Sequence, residues 1–168
     1  MNIKPEAMAR YMKHFDEKCK GSKAMIEEAK KVIPGGVQHN LAFNYPFPLV
    51  VEKAEGAYLY DIDGNRYIDY LQAGGPTLLG SNYEPVNQKV WEVVKESGPV
   101  TGLFHPYEMK LAEKIHECMP WVEMYRCLAS GTEADMVAIR IARTYTGKKN
   151  IVKAGGAYHG WSDQLVYS

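Results

Sequence analysis

The sequence predicts an α/β chain: a mostly parallel sheet with flanking helices, preceded by a small α+β segment. Three observations carry this. Short β-like runs at residues 124–128 and 150–153 bracket a helical pattern from Glu133 to Tyr145, the strand-helix-strand order of a parallel unit. The stretch "GAYLYDIDGNRYIDYL", residues 56–71, alternates around a central Asp63-Gly64, which is a β-hairpin signal. Ahead of it, residues 5–32 repeat apolar positions at helical spacing. Residues 1–80 are therefore expected to form a small N-terminal segment of helices and hairpin, and residues 81–168 to begin a larger domain.

Taken in order, residues 5–32 read as two helices broken at Gly21-Ser22, with Ser22 as the N-cap of the second. Met8, Tyr11, Met12 and Phe15 line one face of the first; Met25, Ile26, Ala29 and Val32 line the second. Pro34-Gly35-Gly36 ends the helical region. "DIDGN" places Asp61, Asp63 and Asn65 at alternate positions, as in a calcium loop. The glycine comes two places early, however, and Gln72 stands where a bidentate Glu is needed, so the segment reads as a turn. A Gly/Pro-rich connection, residues 73–86, leads to a helix over 86–95 with Val90, Val93 and Val94 inward, then to one over 107–119 with Leu111, Ala112 and Ile115 on its apolar side. The last helix carries Ala134, Val137, Ala138, Ile141, Ala142 and Tyr145 on one face and ends at Gly147.

Composition narrows the function classes. Lys plus Arg equals Asp plus Glu at 20 each in 168 residues, so no net field draws the chain to nucleic acid or an anionic membrane. No apolar run is long enough to cross a bilayer, and the first residues lack the apolar segment of a secretory signal. Cys19, Cys118 and Cys127 form no CxxC pair, which reads as reduced thiols in a cytoplasmic setting, with Cys127 a small buried strand residue. The five histidines show no metal-ligand spacing, so no metal is expected.

Nucleotide loops fail on inspection. There is no GxGxxG, and the glycine pair Gly155 and Gly160 is followed by Trp161-Ser162 where a P-loop needs Lys-Ser/Thr. What remains is Ser130-Gly131-Thr132 at a helix start and Tyr158-His159-Gly160 after the next predicted strand. Parallel strands would deliver both loops to one carboxyl edge, where ligands bind in open α/β sheets. One loop offers backbone N–H groups, two hydroxyls and a helix dipole to an anion. The other offers an aromatic face, so a phosphate joined to a flat ring would use both. The competing readings are an ordinary helix cap at Ser130 and a core tyrosine at Tyr158.

Read together, "IPGGV", "GAYLYDIDGNRYIDY", "GGPTLLG" and "SGTEADMVAIRIARTYTGKKNIVKAGGAYHG" resemble the N-terminal part of class III pyridoxal-phosphate (PLP) aminotransferases. The branch they resemble is that of glutamate-1-semialdehyde 2,1-aminomutase and its aminotransferase relatives, and the likeness runs in order from Ile33 to the end. The resemblance implies the fold-type I architecture, PLP as cofactor, a small-molecule amino donor and carbonyl acceptor, and a homodimer. It implies that Gly131 and Thr132, with Ser130, bind the cofactor phosphate, that Tyr158 stacks on the pyridine ring, and that His159 helps fix its loop. Residues 81–168 would then begin the PLP-binding domain.

Two positions depart from the aminomutase pattern. No arginine follows the "PGGV" turn between Val37 and Phe43, and the bulky aromatic usual before the "GP" is absent, the chain reading Ala73-Gly74-Gly75-Pro76. The implied pocket differs accordingly. The resemblance also places the Schiff-base lysine beyond residue 168, so no catalytic residue is assigned here. An alternative expectation is a truncated, non-catalytic fragment that serves as an interaction module or has no function; a weaker one is a binder of another phosphorylated ligand. The 168 residues alone should give no transaminase turnover when PLP is added. Turnover that disappears on mutating one of the chain's own lysines would overturn this expectation.

Overall fold

The computed structural model describes residues 5–98 and 102–166, which fall into two compact units divided between Pro99 and Val100. The first holds helices α1 (Pro5–Lys18) and α2 (Lys20–Ala29), strands β1 (Val51–Glu55), β2 (Tyr58–Asp61) and β3 (Arg66–Ile68), and helix α3 (Glu84–Ser97). The second holds α4 (Pro106–Cys118) and α5 (Gly131–Thr146).

The three strands form one antiparallel sheet in the order β1-β2-β3. β2 and β3 are the hairpin expected around Asp63-Gly64, with Tyr58 opposite Ile68 and Tyr60 opposite Arg66. β1 carries no alternating pattern ("VEKAE") and is recognised only through its pairing with β2. Gly56 and Ser81 exchange backbone hydrogen bonds, and the Asn82 side-chain amide donates to Ala54 O at 2.8 Å, tying the start of the 81–83 segment to the sheet.

The helical break falls at Cys19, two residues before the expected Gly21-Ser22. Gly21 and Ser22 lie inside the first turn of α2, and Ser22 is fully buried rather than capping from outside. The reason is a carboxylate supplied from 41 residues away. Asp63, in the hairpin turn, accepts from Gly21 N (2.6 Å), Ser22 N (2.9 Å) and Ser22 Oγ (2.9 Å). Three donors converging on an anion at a helix start satisfy the orphan N–H groups and complement the helix dipole. A Cβ at Gly21 would lie 2.8 Å from Asp63 Oδ1, so the glycine serves close approach and not a chain break.

The same turn reaches the other helix end. Asn65 Nδ2 donates to Lys18 O (2.7 Å) at the end of α1 and to Asp61 Oδ2 (2.8 Å). Asp61, 2% exposed, also accepts from Asp63 N, Asn65 N and the Tyr67 hydroxyl. Burial, with the hydrogen bonds to Cys19 and Asp61, pushes the Tyr67 phenol far above its ordinary range and keeps it a neutral donor. "DIDGN" is thus a turn whose polar groups are aimed at the helix ends. Phe15, Cys19 and Phe47 form the core beside it, with the two phenyl rings edge to face at 5.2 Å.

Several inward faces differ from expectation. On α2, Ile26 is buried while Met25 is 51% exposed, and Val32, expected on the same face, lies beyond the helix end and is 82% exposed. On α3, Val93 is half-buried but Val90 and Val94 are exposed. On α5 the covered stripe is Thr132, Asp135, Met136, Ile139 and Arg143, whereas Ala134, Val137, Ala138, Ile141, Ala142 and Tyr145 of the expected face are all exposed. The return segment after Gly147 accounts for this: Arg143 Nε donates to Lys149 O (2.9 Å), and Trp161 N donates to Thr132 Oγ1 (3.1 Å).

The expected parallel sheet is absent among the described residues. Residues 124–128 and 150–153 form no ladder, and Met124 and Val152 are 94% and 98% exposed. A parallel strand exists only beside a neighbour that satisfies its slanted hydrogen bonds, and neither run has one here. Cys127 is accordingly exposed rather than buried.

The capping carboxylate yields a test of the first unit. Burial alone would raise the Asp63 pKa, but the Ser22 and Gly21 N–H groups and the Ser22 hydroxyl outweigh it and hold the carboxyl below its ordinary value. A depressed carboxyl stabilises the fold above the ordinary carboxylate range near pH 4 and loses that contribution as pH falls through the lowered pKa. Asp63→Ala should cost about 2 kcal/mol in urea unfolding at pH 7. The difference from the parent should shrink as pH drops below 4, and a pH-independent difference would show that the charge is not what acts.

Candidate functional site

The residues singled out in the sequence all lie in the second unit, around the start of α5. Ser130 is the N-cap in extended conformation (φ −149°, ψ 159°), and its Oγ accepts from Glu133 N at 3.3 Å. That hydroxyl also donates to Glu133 Oε2 at 3.1 Å, so both of its local functions go to the cap. The backbone N–H groups of Gly131 and Thr132 find no acceptor among the described residues, as expected for the first helical positions. A Cβ built on Gly131 would meet nothing within 4 Å, so a group can approach the backbone there. The chain ends α5 at Gly147, in the left-handed region at φ 68°.

The second predicted loop does reach the first. Trp161 N donates to Thr132 Oγ1 at 3.1 Å, which seats residues 158–162 against the first turn of α5. Gly160 is buried, with φ at 90°. A Cβ there would collide with Thr132 Oγ1 and come within 3.0 Å of the Thr132 Cα and Cβ. Tyr158 is 75% exposed and makes no ring contact among the described residues, so it is not a core tyrosine of this unit. His159 is half-buried, with Nε2 buried and without a hydrogen-bond partner among the described residues; the same holds for Ser162 Oγ. Lys153 Nζ donates to Leu165 O at 2.7 Å and fixes the far end of the loop, where Leu165 is buried.

Trp161 and the role of Gly160 were not apparent from the sequence. The sequence shows a glycine after Tyr158-His159, but a backbone N–H aimed at a threonine 29 residues earlier has no residue signature. A separate concavity of about 280 Å³ lies in the first unit, lined by Gly56, Ala57, Asp69, Gln72 and the 77–80 segment. Asp69 Oδ1 accepts from Leu71 N and Gln72 N there, and Gln72 and Ala73 take the left-handed conformation. None of the predicted cofactor residues lines it. No helix among the described residues is long and apolar enough to cross a membrane.

Known proteins resemble this chain over most of its length. Glutamate-1-semialdehyde 2,1-aminomutase of Methanothrix thermoacetophila is 44% identical over 145 residues, covering 86% of this chain and 34% of that protein. The structure superposes on a β-phenylalanine aminotransferase from Variovorax paradoxus with a TM-score of 0.86 at 31% identity, over 93% of this chain and 36% of the other. A transaminase solved with PLP bound gives 0.82 at 32% identity, over 88% and 34%. The chain therefore spans about a third of the length of these relatives. The aminotransferase class-III family model matches residues 41–166, and the chain belongs to that family.

Proposed function

We propose that the protein carrying this chain transfers an amino group between an amine or amino acid and a carbonyl compound, as an aminotransferase or aminomutase dependent on PLP, which the family uses. When bound, PLP supplies the electron sink for that exchange. The observation that carries the reading is the seating of the 158–162 loop on Thr132, beside two backbone N–H groups that have no acceptor among the described residues. An anion at the start of α5 would meet the N–H groups of Gly131 and Thr132, the Thr132 hydroxyl and the positive end of the helix dipole. Ser130 shapes this start through its cap and brings its backbone to the same turn. Tyr158, exposed and without a ring partner among the described residues, offers a face for the pyridine ring. His159 steadies the loop between them.

In this reading residues 1–80 belong to the small domain of a fold-type I enzyme and residues 81–168 open its cofactor-binding domain. The remaining catalytic groups, including the lysine that anchors the cofactor, lie beyond residue 168. The working form is a cytoplasmic homodimer that takes a small amino donor and a carbonyl acceptor. The exposed apolar side chains of α3 and of the outer face of α5 suit a chain that is covered in the complete assembly.

Two substitutions in the intact protein test the assignment. Thr132→Val keeps the shape and removes the hydroxyl, a hydrogen bond to a charged group worth roughly 1.5–3 kcal/mol. PLP affinity, titrated by absorbance, should fall by about one to two powers of ten. Unchanged affinity would reduce Thr132 to a helix start. Tyr158→Phe should retain most PLP binding, while Tyr158→Ala should lose about 1 kcal/mol of stacking. Visible spectra and affinities that are the same for both variants and the parent would make Tyr158 irrelevant to the ligand.

A further inference from the structure

Thr132 Oγ1 is occupied on one side. It accepts the Trp161 N–H at 3.1 Å, and the nearest backbone beyond that hydrogen bond is Gly160, which packs directly on the threonine. A hydroxyl that accepts from an N–H keeps its own proton to donate elsewhere, and accepting polarises it into a better donor. The approach is possible only because position 160 has no Cβ: with φ at 90° and the Thr132 side chain in contact, an L-residue would be both strained and obstructed.

We propose that Thr132 and Gly160 are positioning residues that latch the loop bearing Tyr158 to the first turn of α5, through the Trp161 N–H. This rests on the functional reading above only for the purpose it assigns to the latch, which is to set the Tyr158 ring at a fixed place relative to the anion site. One oxygen then serves both ends of a phosphate-bearing aromatic ligand. It donates to the phosphate and, by what it accepts, holds the surface on which the ring lies. Binding at one end strengthens the hold at the other.

The latch is read without the cofactor, from hydrogen exchange at the Trp161 amide in the intact protein. Exchange should be roughly tenfold faster in Thr132→Val than in the parent, the effect of one lost hydrogen bond. It should return to the parent rate in Thr132→Ser, which keeps the oxygen. Gly160→Ala should also speed exchange, and should add less in a Thr132→Ala background, where the oxygen it collides with is gone. Equal Trp161 exchange in the parent and Thr132→Val overturns the latch. With PLP added, Gly160→Ala should change the visible circular dichroism of the bound cofactor by moving the ring surface; an unchanged band overturns the positioning role. A parent protein that binds no PLP sinks the functional reading instead, and leaves the Thr132 dependence of Trp161 exchange to stand or fall separately.

Discussion

The first unit is organised by a single hairpin turn that closes two helix ends at once. α1 ends and α2 begins on either side of Cys19, so unsatisfied carbonyls and unsatisfied N–H groups crowd into one small region. Asn65 supplies the donor for the first set, and Asp63 supplies the acceptor for the second. Asp61, buried beneath them, orients both by accepting three hydrogen bonds from Asp63 and Asn65, and accepts a fourth from the Tyr67 hydroxyl. The sheet, the helix pair and the aromatic core around Phe15 and Phe47 all adjoin this clasp. Without it, the helical break would have no reason to sit where it does.

The start of α5 poses the same electrostatic problem with a different solution. In α2 a glycine and a serine present two N–H groups and a hydroxyl, and the chain's own carboxylate fills the place. In α5 a glycine and a threonine present the same kinds of donor, and no carboxylate from the described residues accepts the two N–H groups. The first arrangement is a structural cap. The second presents similar donors with no acceptor among the described residues, which is where the proposed cofactor phosphate would bind.

The β2-β3 hairpin, the extents of α3, α4 and α5, and the Gly147 terminus were legible in the sequence, because each is written in local spacing and punctuation. The contact between the Thr132 and Tyr158 loops was legible as an expectation, although it is reached without the parallel strands that were to deliver it. What was not legible is long in range. Asp63 leaves no mark near Ser22 to say that the cap comes from the hairpin, so a serine after a glycine read as the cap itself. The sides of α5 were exchanged because the covered face is mixed, with Thr132, Asp135 and Arg143 beside Met136 and Ile139, and the course of residues 149–161 decides that it is covered. Residues 124–128 and 150–153 have strand-like composition, but a strand needs a partner as well as a composition.

The steric condition at Gly160 differs in kind from a hydrogen bond. Distances and charges can be tuned by degrees, and a sequence can drift through intermediate strengths while selection watches. A missing Cβ cannot be approached gradually, since alanine, serine and every larger residue add the same first carbon at the same place. Variation at this position should therefore sort into two classes with nothing between them, and repair should come most readily through a compensating change at Thr132. The glycine and the threonine are in that sense one steric constraint written at two positions.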